Sequence, residues 1–194
     1  AGGNYWFTYN NVLFMNLNSC NTNWDEHKEF MQKAIAANPD VTWKVVVTHY
    51  TFFGSNNYFS NASIKERREK FDPIMQELDI DVVLSGHEHV NTRAYMINGI
   101  ENGVIKYDKT SASSVTDPQG VFYLSGGSPS GSKYYDLLPD SQLGHVAFKL
   151  GKTRTFTNIE VDEDSFKITT YSSDNGQQLD TFEIVKTKNV KVDP

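Results

Sequence analysis

The sequence predicts an α/β domain in which a parallel sheet built through crossover helices gives way to an antiparallel β meander. Three observations carry this reading. Two short β-branched runs, Trp43-Lys44-Val45-Val46-Val47 and Ile80-Asp81-Val82-Val83-Leu84, are separated by a charged stretch of helical character. Parallel neighbours need a crossover of that kind. The tail alternates apolar and polar residues in three bursts, around Phe156, Ile159 and Val161, then Phe166 and Ile168, then Leu179, Phe182 and Ile184. Turn sequences at 162–164 and 174–176 divide those bursts, the pattern of adjacent antiparallel strands.

The elements follow in order. Residues 12–15, Val-Leu-Phe-Met, form a buried strand. Asn23 caps a helix on which Trp24, Phe30, Met31, Ala34 and Ile35 recur at helical spacing, and Asn38-Pro39 stops it. The strand at 43–47 leads to His49 and a polar, aromatic loop over residues 50–61. A second helix starts near Ser63, and Asp72-Pro73 restarts or kinks it, because proline is at home only in a first turn. The Lys65-Glu66-Arg67-Arg68 run reads as its solvated face. The strand at 80–84 then runs into Ser85-Gly86-His87-Glu88-His89. Beyond Val90 short strands alternate with turns, at 95–97 before Asn98-Gly99, at 121–124 and at 145–150, and residues 126–144 form a loop or lid.

Composition narrows the function. At 194 residues the chain is one domain, and 38% hydrophobic residues with 13% aromatics suffice for a packed core. A net charge of -6 with dispersed lysines and arginines excludes a nucleic-acid groove, which needs a basic face. No apolar run reaches the roughly 18–20 residues that span a bilayer. Cys20 stands alone, so no disulfide forms within the chain, a fact neutral on compartment. Ala1-Gly2-Gly3 leads at once into structured sequence, as expected of a chain cut from a longer one.

Chemistry concentrates at two strand ends. Parallel α/β sheets place ligand sites beyond the carboxyl ends of their strands. Here one apolar run ends in Thr48-His49 and the other in Gly86-His87-Glu88-His89. If the strands are neighbours, three imidazoles converge on one rim, and imidazole suits zinc, iron and related metals. Gly86 lets the chain turn sharply out of its strand. His27, on the first helix, reads as a surface residue, and His145 as structural. Glu88 is either a substrate or ligand-supporting group or simply exposed. Arg93 is either a phosphate contact or half of an ion pair. Tyr50, Tyr58, Tyr134 and Tyr135 lie in loops and are either borders of a substrate cleft or ordinary loop residues.

Val46-Val47-Thr48-His49 resembles the Val-x-x-His motif of purple acid phosphatases and related calcineurin-like metallophosphoesterases, and Gly86-His87-Glu88-His89 resembles their Gly-His-x-His motif. The run from Phe71 to Met75 and the terminal Asp180-Thr181-Phe182-Glu183-Ile184-Val185-Lys186 are family-like as well. The resemblance implies that residues 1–194 form the C-terminal half of a four-layer α/β/β/α sandwich. It further implies a dinuclear metal site of iron, zinc or manganese that hydrolyses phosphate esters, with His49 and His87 on one ion and His89 on the other. Glu88, Arg93 and Tyr50 are the candidates for substrate contact. A secreted or cell-surface bacterial location is implied too, with a cytoplasmic one left open.

The family's earlier motifs, which carry the aspartates, the asparagine ligand and a catalytic histidine, are absent from these residues, and Asn91-Thr92-Arg93 replaces its usual Tyr-Glu-Arg. The missing N-terminal half is therefore the expected partner, the catalytic histidine is expected upstream, and self-association of the chain alone is expected. The rival readings are a non-catalytic structural or interaction module with a partial metal site, and a single-zinc hydrolase.

Overall fold

A computed structural model describes residues 3–109 and 113–187 of the chain. It opens with a hairpin, β1 (Tyr5–Tyr9) against β2 (Val12–Leu17), turned by Asn10 at φ 51°. Helix α1 (Trp24–Ala36) follows, its first turn capped by Asn23, whose side chain accepts from Glu26 N. Then come β3 (Trp43–Thr48), α2 (Ala62–Glu77) and β4 (Val82–Ser85). The later strands are β5 (Asn91–Ala94), β6 (Met96–Glu101), β7 (Val104–Asp108), β8 (Ser114–Thr116), β9 (Phe122–Ser125), β10 (Val146–Leu150), β11 (Thr155–Val161), β12 (Ser165–Ser172) and β13 (Gln178–Val185).

Seven strands form one sheet in the order β1-β2-β3-β4-β9-β5-β10, with β2, β3, β4 and β9 parallel. A four-stranded sheet, β11-β12-β13-β8, holds the meander, and β6 pairs with β7 as a separate hairpin. Successive residues of a strand face opposite ways, and the large sheet uses both faces. Leu13, Met15, Val46 and Val83 pack with Met31 and Ala34 of α1 and with Phe71, Ile74 and Met75 of α2. Val12, Val45, Val82 and Phe122 pack with Phe166, Ile168, Phe182 and Ile184 of the second sheet. The layers run helix, sheet, sheet: three of the four expected of the sandwich.

The joint between the sheets is aromatic and ionic. Phe122 stacks on Phe182 with centroids 5.2 Å apart, and Trp43 meets Phe166 at 5.5 Å while its Nε1 donates to Asp162 O. Burying one such ring contributes roughly 1.5–3 kcal/mol. Arg93 of β5 reaches across to Asp180 of β13 with two hydrogen bonds, of 2.6 and 2.8 Å, its guanidinium 4.9 Å from the centre of Phe182.

Several expectations change. Helix α2 runs unbroken through Pro73. Pro73 lies on the exposed side, while Phe71, Ile74 and Met75 hold the helix to the sheet. Asn98-Gly99 is no turn: it forms an irregularity within β6, and the hairpin turns at Asn102-Gly103, both at positive φ. The Lys65-to-Arg68 run is not a solvated face throughout, since Arg68 is buried on the stripe of Ile64, Phe71 and Met75. His27 is buried as well. Asn4 Nδ2 donates to its Nδ1 (2.9 Å), and its Nε2 donates to Asn21 O (3.0 Å). No helix among the described residues is long and apolar enough to cross a membrane.

Candidate metal centre

β3 and β4 end side by side, and a hydrogen bond from Gly86 N to His49 O (3.1 Å) ties the first residues beyond them. Below this tie Thr51 Oγ1 donates to Gly86 O (2.5 Å), with the hydroxyls of Ser85 and Ser125 at 3.0 and 2.9 Å. The floor of the rim is therefore a hydroxyl cluster contributed by β4, β9 and the loop after β3.

The tie brings two imidazoles together. His87 Nδ1 stands 3.0 Å from His49 Nε2, with the ring planes inclined by 82°. Two imidazole nitrogens bound to one ion at about 2.0–2.1 Å each are roughly 2.9–3.4 Å apart, so the 3.0 Å separation fits two ligands of a shared ion. Burial, and then the charges of His49 and His89, hold His87 below the ordinary imidazole range, which favours the neutral, metal-binding form. His89 does not join this pair. Its Nδ1 donates to Lys133 O (3.2 Å), which leaves Nε2 with the lone pair. Among the described residues no three His, Cys, Asp or Glu side chains gather in a group that could hold a metal ion.

The His-x-His segment has an unusual backbone. His87 and His89 lie at φ 70° and 53°, in the left-handed region that costs a residue with a Cβ roughly 1–2 kcal/mol. Glu88, between them, turns inward and is only 1% exposed. Its Oε2 accepts from Ser55 N (3.2 Å), and its backbone carbonyl accepts from Asn56 Nδ2 (3.0 Å). Burial raises its carboxyl to about 7. Gly54 makes room: a Cβ there would stand 1.9 Å from Oε2. Strain of this kind persists only when the surroundings over-determine it, and here the loop after β3 does so.

The other sequence candidates fall into two groups. Tyr50 lies at the rim, its ring 5.4 Å from His49 and 4.5 Å from His87, with the guanidinium of Arg67 5.0 Å from its centre. Tyr58 is 5.0 Å from His87, and Tyr135 is 5.5 Å from His89. Glu88 and Arg93 instead point into the protein, the first to Ser55 and the second to Asp180. His145 is buried and donates from Nε2 to Gly54 O (3.2 Å).

Sequence reasoning missed Thr51, Asn56 and Arg68. Arg68 binds the carbonyls of Phe52 and Phe59 and lies 4.2 Å from the Phe59 ring centre, fixing the loop that carries Tyr58. Ile64, Arg68, Phe71 and Met75 recur at i, i+4, i+7 and i+11, a buried stripe that was readable in advance. Thr51 and Asn56 gave no such signal.

Residues 1–91 match the family described as Calcineurin-like phosphoesterase. Purple acid phosphatase 19 of Arabidopsis thaliana is 24% identical over 124 residues, 60% of this chain and 31% of that protein. Purple acid phosphatase 5 of the same plant is 24% identical over 110 residues, 57% of this chain and 27% of that protein. The chain thus spans about a third of the length of these relatives. Among solved structures, purple acid phosphatase PPD1 from yellow lupin (Lupinus luteus) seeds superposes with a TM-score of 0.76 at 18% identity, over 95% of this chain and 33% of that one. GAP50, the anchor in the inner membrane complex of Plasmodium, superposes with a TM-score of 0.64 at 12% identity, over 96% of this chain and 54% of that one.

Proposed function

We propose that this chain, whose residues 1–91 match the calcineurin-like phosphoesterases and which is similar to purple acid phosphatases, is the C-terminal part of a domain that hydrolyses phosphate esters at a two-metal centre. The carrying observation is the 3.0 Å approach of His49 Nε2 and His87 Nδ1 at the ends of adjacent parallel strands. These two nitrogens would hold one ion, and His89 Nε2 would hold the second.

Bound there, iron, zinc or manganese would polarise the phosphoryl oxygens and activate a water for in-line attack. The chain's own residues do the positioning. Gly86 and Thr51 fix the two strand ends to one another, Lys133 O sets the His89 tautomer, and Glu88 anchors the turn from within. The carboxylate ligands and the catalytic histidine come from sequence outside these residues. That sequence would add its strands where both sheets stand open. β1 exposes Tyr5, Trp6, Phe7 and Tyr9, and β11 exposes Phe156 and Ile159.

Activity of the 194-residue chain against the full-length protein tests this reading. With added zinc or manganese, the full-length protein hydrolyses a simple phosphomonoester and the chain alone is nearly inactive, because ligands that act as a unit are not additive. Turnover by the chain alone at ordinary enzyme rates, roughly 1 to 10³ per second, contradicts it. The second reading, a non-catalytic module, draws on the lack of a closed ligand group among the described residues and on the likeness to a protein named as an anchor. A full-length protein that binds no metal and hydrolyses no ester would establish that reading.

A further inference from the structure

A cavity of about 350 Å³ opens between α2, the β6–β7 hairpin and the short turn Asp140–Gln142. None of His49, His87 and His89 lines it. Its walls are largely apolar, from Phe59, Val104, Ile105 and the ring of Tyr107. Its volume lies at the small end of the range for ligand pockets.

The deeply buried cation on this lining is Arg68, which is 6% exposed. Its Nη1 donates to the carbonyls of Phe52 (2.9 Å) and Phe59 (3.2 Å), whereas Nε and Nη2 donate to no group among the described residues. Neither of those two nitrogens is sealed from solvent, so both reach the cavity that Arg68 lines. Together they make one edge of the guanidinium. Arg93 uses that same edge, Nε with Nη2, to grip the carboxylate of Asp180. No carboxylate among the described residues pairs with Arg68 in this way; Glu69, Glu88 and Asp72 act on its charge only through space. A buried charge is costly unless it is paired, and here two carbonyls and the face of Phe59, 4.2 Å away, do the compensating.

The charge on the lining narrows the class of ligand. Lys65 and Glu69, both exposed, pair with each other at 3.8 Å, and burial keeps His145 neutral at pH 7. The charge of Arg68 is what remains. We infer that the cavity binds a small organic monocarboxylate, with its two oxygens on the Nε–Nη2 edge of Arg68 and its apolar body against Phe59, Val104 and Ile105. A guanidinium edge of this kind holds a carboxylate with two parallel hydrogen bonds. Inorganic phosphate could meet the edge but has no apolar part to set against the walls. The inference does not depend on the phosphoesterase reading.

Calorimetric titration of the full-length protein with benzoate, benzamide, acetate and inorganic phosphate tests the site. Repeating it in His87→Ala separates the cavity from the metal centre. We expect a benzoate site of equal affinity in both proteins. Benzoate should bind about tenfold more tightly than benzamide, which lacks the charge, and than acetate, which lacks the ring. Arg68→Lys keeps the charge but loses the fork, and should weaken benzoate about tenfold. Because Arg68 also holds two carbonyls, the exposed Gln142 on the same lining supplies variants that spare the fold. Gln142→Lys should tighten benzoate about threefold and Gln142→Glu weaken it about threefold, with benzamide unmoved by either. A benzoate site that vanishes in His87→Ala, ignores the charge at Gln142, or takes benzamide or phosphate as tightly in His87→Ala overturns the inference. Ester hydrolysis, measured separately, is untouched by each of these outcomes.

Discussion

The carboxylate of Glu88 fills the volume in which a side chain at Gly54 would begin, with Oε2 only 1.9 Å from where a Cβ would stand. The two residues belong to different loops, and their fit sets how the His87–His89 segment sits against the loop after β3. Gly54→Ala should therefore destabilise the chain by about 1–3 kcal/mol, the usual cost of overpacking. Shortening the acid in the same protein, as Gly54→Ala with Glu88→Ser, should recover part of that loss. A double-mutant cycle in urea measures the coupling. Strictly additive effects would mean that the two side chains do not share the space.

Arg93 and Asp180 join the two sheets, and their side chains are only 4% and 13% exposed. Removing one member of such a buried pair costs about 3–5 kcal/mol, because the other is left buried and uncompensated. Asp180→Ala should show a loss of that size in chemical unfolding. In the full-length protein it should leave KM for a phosphomonoester little changed, since Arg93 faces Asp180. A large rise in KM with little loss of stability would return Arg93 to the list of substrate contacts.

His145 makes stability depend on pH. Burial depresses it from 6.5 to about 4. Its contribution is thus fully present above pH 6.5 and is lost as pH falls through 4, a swing of about 3 kcal/mol. Glu88, raised to about 7 by burial, acts with the opposite sign over an overlapping range. The informative quantity is therefore the difference between wild type and His145→Gln at each pH. Urea midpoints at pH 7 and pH 4.5 should show the wild type losing more stability on acidification than the variant. Parallel losses would contradict the assignment.

Much of this was legible in the sequence because the first half obeys local rules. The apolar runs of β2, β3 and β4, the Asn23 cap and the helical spacing of α1 were all readable. So was the placement of His49 and His87 at strand ends, because each stands directly behind a β-branched run. What was hidden depends on distant pairing. β9 enters the parallel sheet beside β4 from about 40 residues downstream, and β8 joins β13 in parallel across four intervening strands. His27 was read as exposed because its partner Asn4 is 23 residues away. Glu88 was open to either reading because its anchor is a backbone amide at Ser55, which no side-chain pattern announces.

The open edge of β1 predicts self-association of the chain alone. All five of its residues are exposed, including four aromatic rings, and among the described residues it pairs only with β2. Unpaired strand edges with apolar side chains template further pairing. Light scattering on the 194-residue chain at low micromolar concentration should give a dimer or larger species, where the full-length protein gives a monomer-sized particle for the same region. A monomeric chain that unfolds cooperatively would mean that its sheets need no further strands.

The central claim is that His49, His87 and His89 hold metal, and counting ions per polypeptide by mass spectrometry tests it most directly. The full-length protein should carry two ions, and His49→Ala, His87→Ala and His89→Ala should each lose at least one. His27→Gln, whose ring is buried between Asn4 and Asn21, controls for damage to the fold and should keep both. A folded His87→Ala protein that retains the full complement of metal would contradict the claim.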